Sequence, residues 1–117
     1  MTWTVEFCDD FEDEFDALDE IVSDKMLAML GVLEKFGPTL GRPKVDTLYN
    51  SKHTNMKELR FSVGNQEWRI AFAFDPDQKG ILLVGGNKTG KKDKNFYKDL
   101  IRVADKRYSA HLKDLEG

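Results

Sequence analysis

Apolar and polar residues alternate most regularly between Met56 and Phe74, and this pattern predicts a β-hairpin. The apolar set recurs at every second position on both sides of Gly64-Asn65: Leu59, Phe61, Val63, Trp68, Ile70, Phe72 and Phe74. Because strand side chains alternate between the two faces of a sheet, each strand has one bulky apolar face. Arg60 and Arg69 fall on the opposite face, over small residues, and are predicted to look out over a shallow floor.

The N-terminal third of the chain predicts one strand and two helices. Trp3 to Phe7 alternates apolar and polar residues as a short strand does. Apolar residues then recur at helical spacing as far as Gly37-Pro38, a pair typical of a helix end. The predicted helix caps are Asp9 or Asp10, with Glu12 in a capping box, and Ser23 or Asp24.

The rest of the chain predicts a loop, another strand and a last helix. Residues 39–55 form a predicted polar, basic loop with Leu48 and Tyr49 turned inward. The apolar run from Ile81 to Gly85 predicts a central strand covered on both faces, and Asp93 is the predicted cap of the final helix. Short connections between the last three strands require antiparallel pairing. We therefore predict an α+β fold of order β-α-α-β-β-β-α, an antiparallel sheet with the N-terminal helix pair on one face and a C-terminal helix.

Length and composition limit the classes of protein that need considering. A chain of 117 residues is predicted to form one domain, residues 1–117. No apolar run approaches the roughly 20 residues of a membrane span, and the N-terminus lacks the pattern of a signal peptide, so a cytoplasmic location is expected. The single cysteine, Cys8, excludes an intramolecular disulfide and argues against a structural zinc site.

Charge is distributed unevenly along the chain. Residues 1–37 hold eleven acidic and two basic side chains, a balance of −9, whereas residues 38–117 hold sixteen basic and ten acidic ones, a balance of +6. Because a charged surface attracts ligands of opposite sign, a phosphate-bearing ligand is expected on the second part of the chain. The acidic first part could face a partner protein or repel nonspecific RNA.

Four cations are predicted to converge beside the hairpin, namely Lys57, Arg60, Arg69 and Lys88. Like charges held together without carboxylates indicate an anion site. Glu58 and Glu67 share faces with the two arginines, so ordinary cross-strand ion pairs are the alternative interpretation. The glycine-rich loop before the last helix is not a nucleotide-binding P-loop, because no hydroxyl residue follows its Gly-Lys pair.

The chain resembles the RelE/ParE toxin superfamily, most closely its HigB-like branch of phage-derived host-inhibition proteins. The resemblance rests on Lys57-Glu58-Leu59-Arg60, on Trp68-Arg69-Ile70-Ala71-Phe72, and on the lysine-rich loop that leads into the last helix. It implies the toxin of a type II toxin–antitoxin pair, a ribosome-dependent mRNA endoribonuclease that works without a metal or other cofactor. The implied partners are the ribosome, mRNA and an antitoxin, often one with a helix-turn-helix domain.

The resemblance also implies roles for individual residues. Arg60 and Arg69 would bind and stabilise the reacting phosphate, and Lys57 or Lys88 would complete the charge clamp and act as base. Tyr97 and His53 are the implied candidates for proton transfer or for stacking on a base. The implied RNA-binding residues are Lys44, Lys52, His53, Lys91, Lys92 and Lys94. Two alternatives stay open: a non-enzymatic toxin that binds DNA gyrase or another host protein, and a phage accessory protein that binds RNA without cutting it.

Overall fold

A computed structural model describes residues 2–117 as one five-stranded sheet with helices on both faces. The strands are β1 (Val5–Phe7), β2 (Val45–Thr47), β3 (Lys57–Val63), β4 (Gln66–Phe74) and β5 (Gly80–Asn87). The helices are α1 (Asp9–Asp16), α2 (Glu20–Phe36) and α3 (Asp93–Leu115), and a short 3-10 turn covers Gly37–Thr39. Within residues 2–117, no helix has the length and apolar character needed to cross a membrane.

The sheet confirms the predicted hairpin and adds two features that the sequence analysis did not predict. β3 and β4 pair antiparallel with Arg60 opposite Arg69, as the alternation requires. The strand order is β1-β5-β4-β3-β2, and β1 runs parallel to β5, so the sheet is mixed rather than wholly antiparallel. The second feature is β2, which lies within the predicted polar loop and pairs with β3 at the sheet edge. The α+β class and the order of the predicted elements are confirmed.

The helices cover the two faces of the sheet, and the two faces differ in side-chain size. α1 and α2 pack on the bulky face, against Leu59, Phe61, Ile70, Phe72 and Leu82. α3 packs on the other face, where Ala71 and Ala73 leave room for its apolar side chains Phe96, Leu100, Ala104 and Tyr108. Ile81 and Leu83 also face α3 while Leu82 faces α2, so β5 is covered on both sides, as predicted.

The predicted helix starts are wrong, and the predicted end of α2 is right. Cys8, Asp19 and Lys92 occupy the three N-cap positions, and none makes a side-chain capping hydrogen bond. The predicted caps Asp9, Asp10, Ser23, Asp24 and Asp93 therefore lie inside helices. Gly37 ends α2 with a φ of +57°, and a Cβ there would collide with the Trp3 ring.

The segment between β2 and β3 is an ordered loop, tied to α3. Ser51 Oγ donates to Asp105 Oδ1 at 2.5 Å, and the Lys52 N–H donates to Asp105 Oδ2 at 3.1 Å. Leu48 is buried, as predicted, but the prediction that Tyr49 turns inward is wrong, because 69% of this residue is exposed. The loop thus holds Tyr49 at the surface beside α3.

Candidate functional site

A cavity of about 910 Å³ opens where α3 leaves the small-residue face of the sheet uncovered, beside the loop that follows β2. It is lined by Thr47, Leu48, Tyr49, Asn50, Glu58, Arg60, Arg69, Lys88, Asp93, Lys94, Tyr97, Lys98, Ile101 and Arg102. Six of these residues are lysine or arginine and two are acidic, so the lining carries a net charge of +4. A cavity of this size is at the upper end of the range of small-molecule sites. Its charge favours an anionic ligand.

Strand register places the two arginines on the cavity floor. Arg60 and Arg69 are a directly opposed pair on β3 and β4, and Gly86 lies opposite Arg69 on β5. Gly86 leaves space for the Phe96 ring, since a Cβ there would lie 2.9 Å from Phe96 Cε1. The first turns of α3 can therefore approach the sheet and bring Tyr97 against Arg69.

Glu58 joins the two arginines and Tyr97 into one hydrogen-bonded cluster. It is only 4% exposed, and its Oε2 accepts from Arg60 Nη2 at 3.1 Å. Its Oε1 accepts from Tyr97 Oη at 2.7 Å and lies 3.5 Å from Arg69 Nε. Arg69 Nε also donates to Tyr97 Oη at 3.3 Å. Both predicted alternatives are present, because the cavity is cationic and Glu58 and Glu67 also form ion pairs with the arginines.

The arginine pair meets two further carboxylates, and the positive charge belongs to the cavity lining as a whole. Asp46 Oδ2 lies 3.5 Å from Arg60 Nη2, and Glu67 Oε2 lies 3.6 Å from Arg69 Nη1. Arg60 Nε is buried without a hydrogen-bond partner among the described residues. Burial is the largest single effect and would lower the pKa of Arg60, but the hydrogen bond to Glu58 and the charges around the guanidinium group together raise the pKa. Burial, followed by the hydrogen bond to Glu58, raises the pKa of Tyr97. Tyr97 is therefore protonated at neutral pH and able to donate a proton.

Four more cations form the rim of the cavity. Lys88 Nζ lies 2.9 Å from Asp93 Oδ1, which fixes the end of β5 to the start of α3. Lys94, Lys98 and Arg102 follow at intervals of four residues along α3, so they lie on one side of that helix. Lys94 is among the predicted RNA-binding residues, but Lys98 and Arg102 are not. Their four-residue spacing on the predicted helix indicates that they share one side with Lys94.

The structure does not bring Lys57 into this cavity, and its predicted convergence with the other three cations is wrong. Lys57 is three residues from Arg60 on the same strand, so the two side chains point to opposite faces of the sheet. Lys57 Nζ instead contacts the Pro38 carbonyl at 3.4 Å, on the side of α2. Of the five predicted catalytic residues, the cavity contains Arg60, Arg69, Lys88 and Tyr97.

Most of the predicted RNA-binding residues lie outside the cavity lining. Lys44 and Lys52 are exposed. His53 is held against α3 by a contact of 3.0 Å between its Nε2 and Ser109 Oγ. Lys91 lies over the Phe96 ring at 5.8 Å, and Lys92 is the exposed N-cap of α3. Sequence reasoning missed the loop residues Tyr49 and Asn50, because the strand that positions them was not predicted.

Metal ligands are not grouped in the part of the chain that the structure describes. Across residues 2–117, no set of three or more histidine, cysteine, aspartate or glutamate side chains has an arrangement that could hold a metal ion. The cavity lining presents arginine, lysine, tyrosine and carboxylate groups.

Comparison with known proteins places the chain in a family. The family described as "Phage derived protein Gp49-like (DUF891)" matches residues 13–109. A Mycobacterium tuberculosis H37Rv protein named "Putative toxin HigB2" is 45% identical over 100 residues, which are 85% of this chain and 49% of that protein. This chain thus spans about half the length of that relative. "Putative toxin HigB3" of the same strain is 44% identical over 103 residues, which are 88% of each chain.

A solved structure supports the fold independently. The free-state structure of a double arginine-to-alanine mutant of the Escherichia coli toxin RelE matches with a TM-score of 0.53, covering 87% of this chain and 96% of that one at 11% identity. An identity this low supports a statement about fold alone. On the family match and the two relatives, the chain belongs to the Gp49-like, HigB-type family, and it has a RelE-like fold.

Proposed function

We propose that this protein is the toxin of a toxin–antitoxin pair and that it cleaves mRNA on the ribosome as a metal-independent endoribonuclease. The toxin class is supported by the names of its two relatives. The observation that carries the ribonuclease proposal is the cluster on the cavity floor, in which Arg60 and Arg69 share Glu58 and meet Tyr97. That cluster combines phosphate-binding groups with groups that exchange protons.

Arg60 and Arg69 bind the phosphate at which the RNA is cut. A guanidinium group stays charged and meets two phosphate oxygens with parallel hydrogen bonds, which suits it to a phosphorus centre that gains charge in the transition state. The Arg69 side chain is 12% exposed and Arg60 33%, so both act in a partly desolvated site where charge stabilisation is stronger than in water. Lys88 at the rim adds a third cation.

Glu58 and Tyr97 supply the two proton transfers. The ribose 2′-hydroxyl attacks the adjacent phosphorus and gives its proton to the Glu58 carboxylate, while the bond from phosphorus to the 5′-oxygen breaks. Tyr97 donates a proton to that leaving oxygen, and its raised pKa keeps the phenol protonated at neutral pH until the oxygen departs. The products are an RNA end with a 2′,3′-cyclic phosphate and an RNA end with a 5′-hydroxyl.

The remaining cations fit a long anionic substrate. Lys94, Lys98 and Arg102 extend the positive surface from the cavity along α3, where they pair with phosphates of mRNA or ribosomal RNA. The acidic residues of the first 37 positions lie on β1, α1 and α2 and at the N-cap of α2, and none of them lines the cavity. The protein acts in the cytoplasm, and a cognate antitoxin, of the helix-turn-helix type, inhibits it.

Induced expression in a bacterial host tests the proposal. The wild-type chain is expected to stop growth and to leave cut transcripts, and Arg60→Ala or Arg69→Ala is expected to lower the cleavage rate roughly 10²–10³-fold because each removes a transition-state charge partner. Lys25→Ala is the control, since Lys25 is an exposed cation on α2, outside the cavity lining. Growth arrest with intact transcripts would contradict the proposal and indicate a toxin that inhibits a host protein by binding.

A further inference from the structure

Tyr49 is a large aromatic side chain displayed at the mouth of the cationic cavity. The residue is 69% exposed, whereas its neighbour Leu48 is 3% exposed and already fills the core beneath the loop. Tyr49 and Asn50 both line the cavity that contains Arg60 and Arg69. Ile21, Leu27 and Phe36 are exposed as well, but Tyr49 differs from them because its ring lies on the lining of the cationic cavity, where it can contact a ligand.

The loop that carries Tyr49 is held in place from both sides. Before it, the Leu48 N–H donates to the Met56 carbonyl at 3.0 Å. After it, Ser51 Oγ and the Lys52 N–H both donate to the Asp105 carboxylate on α3. Because the backbone is fixed, the Tyr49 ring meets a ligand with little further loss of conformational entropy.

Two other aromatic side chains that could stack on a base, Tyr97 and His53, already pack against neighbouring rings. Tyr97 hydrogen-bonds Glu58, and its ring packs edge-on against Phe96 at 5.2 Å. The His53 ring packs edge-on against Tyr108 at 4.8 Å. The stacking role that the sequence analysis gave to Tyr97 and His53 is therefore better met by Tyr49.

We propose that Tyr49 and Asn50 form a nucleobase subsite, in which the Tyr49 ring stacks on an unpaired base and the Asn50 amide reads the edge of that base. The proposal rests on the proposed function, because the base belongs to the RNA whose phosphate lies on Arg60 and Arg69. Single-stranded RNA is recognised in general by aromatic stacking next to cations that follow the backbone, and a side-chain amide offers both a donor and an acceptor to a base edge.

An mRNA with one missing base tests the subsite. Purified ribosomes are loaded with mRNA that is either intact or lacks the base at one nucleotide of the cleaved codon, and each codon position is tested in turn. Cleavage is measured with ribosome-bound mRNA at a concentration below KM. On intact mRNA, Tyr49→Ala is expected to lower kcat/KM roughly 5- to 100-fold, as loss of one base–aromatic stack does elsewhere. Tyr49→Phe keeps the ring and is expected to stay within about twofold of wild type.

The abasic mRNA separates stacking from a general defect. At one codon position, removing the base is expected to slow cleavage by the wild-type protein as much as Tyr49→Ala slows cleavage of intact mRNA. On that abasic mRNA, the Tyr49→Ala protein is expected to cut as fast as the wild type does. Asn50 has a φ of +71°, so Asn50→Gly removes the amide without straining the backbone. The Asn50→Gly protein is expected to discriminate less than the wild type between codons that differ only at that base.

Each contrary result has a distinct meaning. If Tyr49→Ala cuts intact mRNA as fast as wild type while Arg60→Ala does not, the subsite is wrong and the proposed function stands. If Tyr49→Ala loses the same factor on intact mRNA and on every abasic mRNA, Tyr49 acts through the fold and the subsite is again wrong. If the wild-type protein cuts no mRNA on ribosomes, both proposals fail.

Discussion

Replacing Glu58 with glutamine is expected to separate RNA binding from RNA cleavage. Glutamine has the shape of glutamate but no charge, and it turns one of two acceptor oxygens into an N–H donor. Glu58 is 4% exposed and accepts hydrogen bonds from Arg60 and Tyr97 while it contacts Arg69. Glu58→Gln therefore removes both the proposed proton acceptor and the buried negative charge that the two arginines share.

The structure gives approximate sizes for three effects. Loss of one hydrogen bond to a charged group costs about 2 kcal/mol of folding free energy, which for a domain of this size lowers Tm by about 8 °C. A carboxylate roughly 6 Å from a bound phosphate repels it by about 2–3 kcal/mol at an effective dielectric constant of 20, and screening by salt reduces the gain in RNA affinity to about tenfold. Loss of a general base lowers the cleavage rate by about 10²–10⁴-fold.

Three measurements check this prediction: thermal unfolding, affinity for programmed ribosomes, and the single-turnover cleavage rate. Glu67→Gln is the matched control, because Glu67 is also an arginine partner, with Arg69 Nη1 at 3.6 Å, but its side chain is 51% exposed. That control is expected to change all three quantities little. Glu58→Gln protein that cuts mRNA at the wild-type rate would refute the role of Glu58 as proton acceptor.

Two further predictions concern stability. Burial alone would raise the pKa of Asp75, but the hydrogen bond from His111 and two backbone N–H groups lower it below the ordinary 3.8. The stabilisation is therefore complete above the unfolded-state pKa and is lost as pH falls through the folded-state pKa. Urea unfolding should show Asp75→Asn about 1–3 kcal/mol less stable than wild type at pH 6, and the difference should be smaller at about pH 3. An equal difference at both pH values would contradict the assignment. Gly37→Ala is expected to cost about 3 kcal/mol and Gly64→Ala about 1 kcal/mol, because both glycines have a φ of +57° but only a Cβ on Gly37 meets the Trp3 ring. Equal losses in thermal or urea unfolding would show that the collision with Trp3 is relieved at no cost.

The hairpin and its two arginines could be predicted because strand alternation is a local rule. Once β3 and β4 pair around Gly64-Asn65, Arg60 and Arg69 must share a face, and they are directly opposed. The same rule excludes Lys57 from that face, because Lys57 and Arg60 are an odd number of residues apart on one strand.

The features that the sequence did not reveal depend on long-range contacts. β1 has only three residues, and it pairs parallel with β5 across two helices and three intervening strands, so its own pattern cannot reveal that pairing. β2 is equally short and sits among turn residues, so its pairing with β3 is not visible locally. The exposure of Tyr49 and the contacts of Asp105 depend on where α3 crosses the sheet, which no local periodicity encodes.

The chemistry of the cut RNA ends tests the central claim most directly. Purified wild-type protein is incubated with ribosomes carrying a defined mRNA, and the new 3′ ends are identified by their sensitivity to enzymes that open cyclic phosphates. Attack by the 2′-hydroxyl on a phosphate held by Arg60 and Arg69 predicts 2′,3′-cyclic phosphate ends and 5′-hydroxyl ends, both lost in Arg60→Ala and Arg69→Ala protein. Intact mRNA, or fragments that end in a 3′-hydroxyl and a 5′-phosphate, would contradict this account.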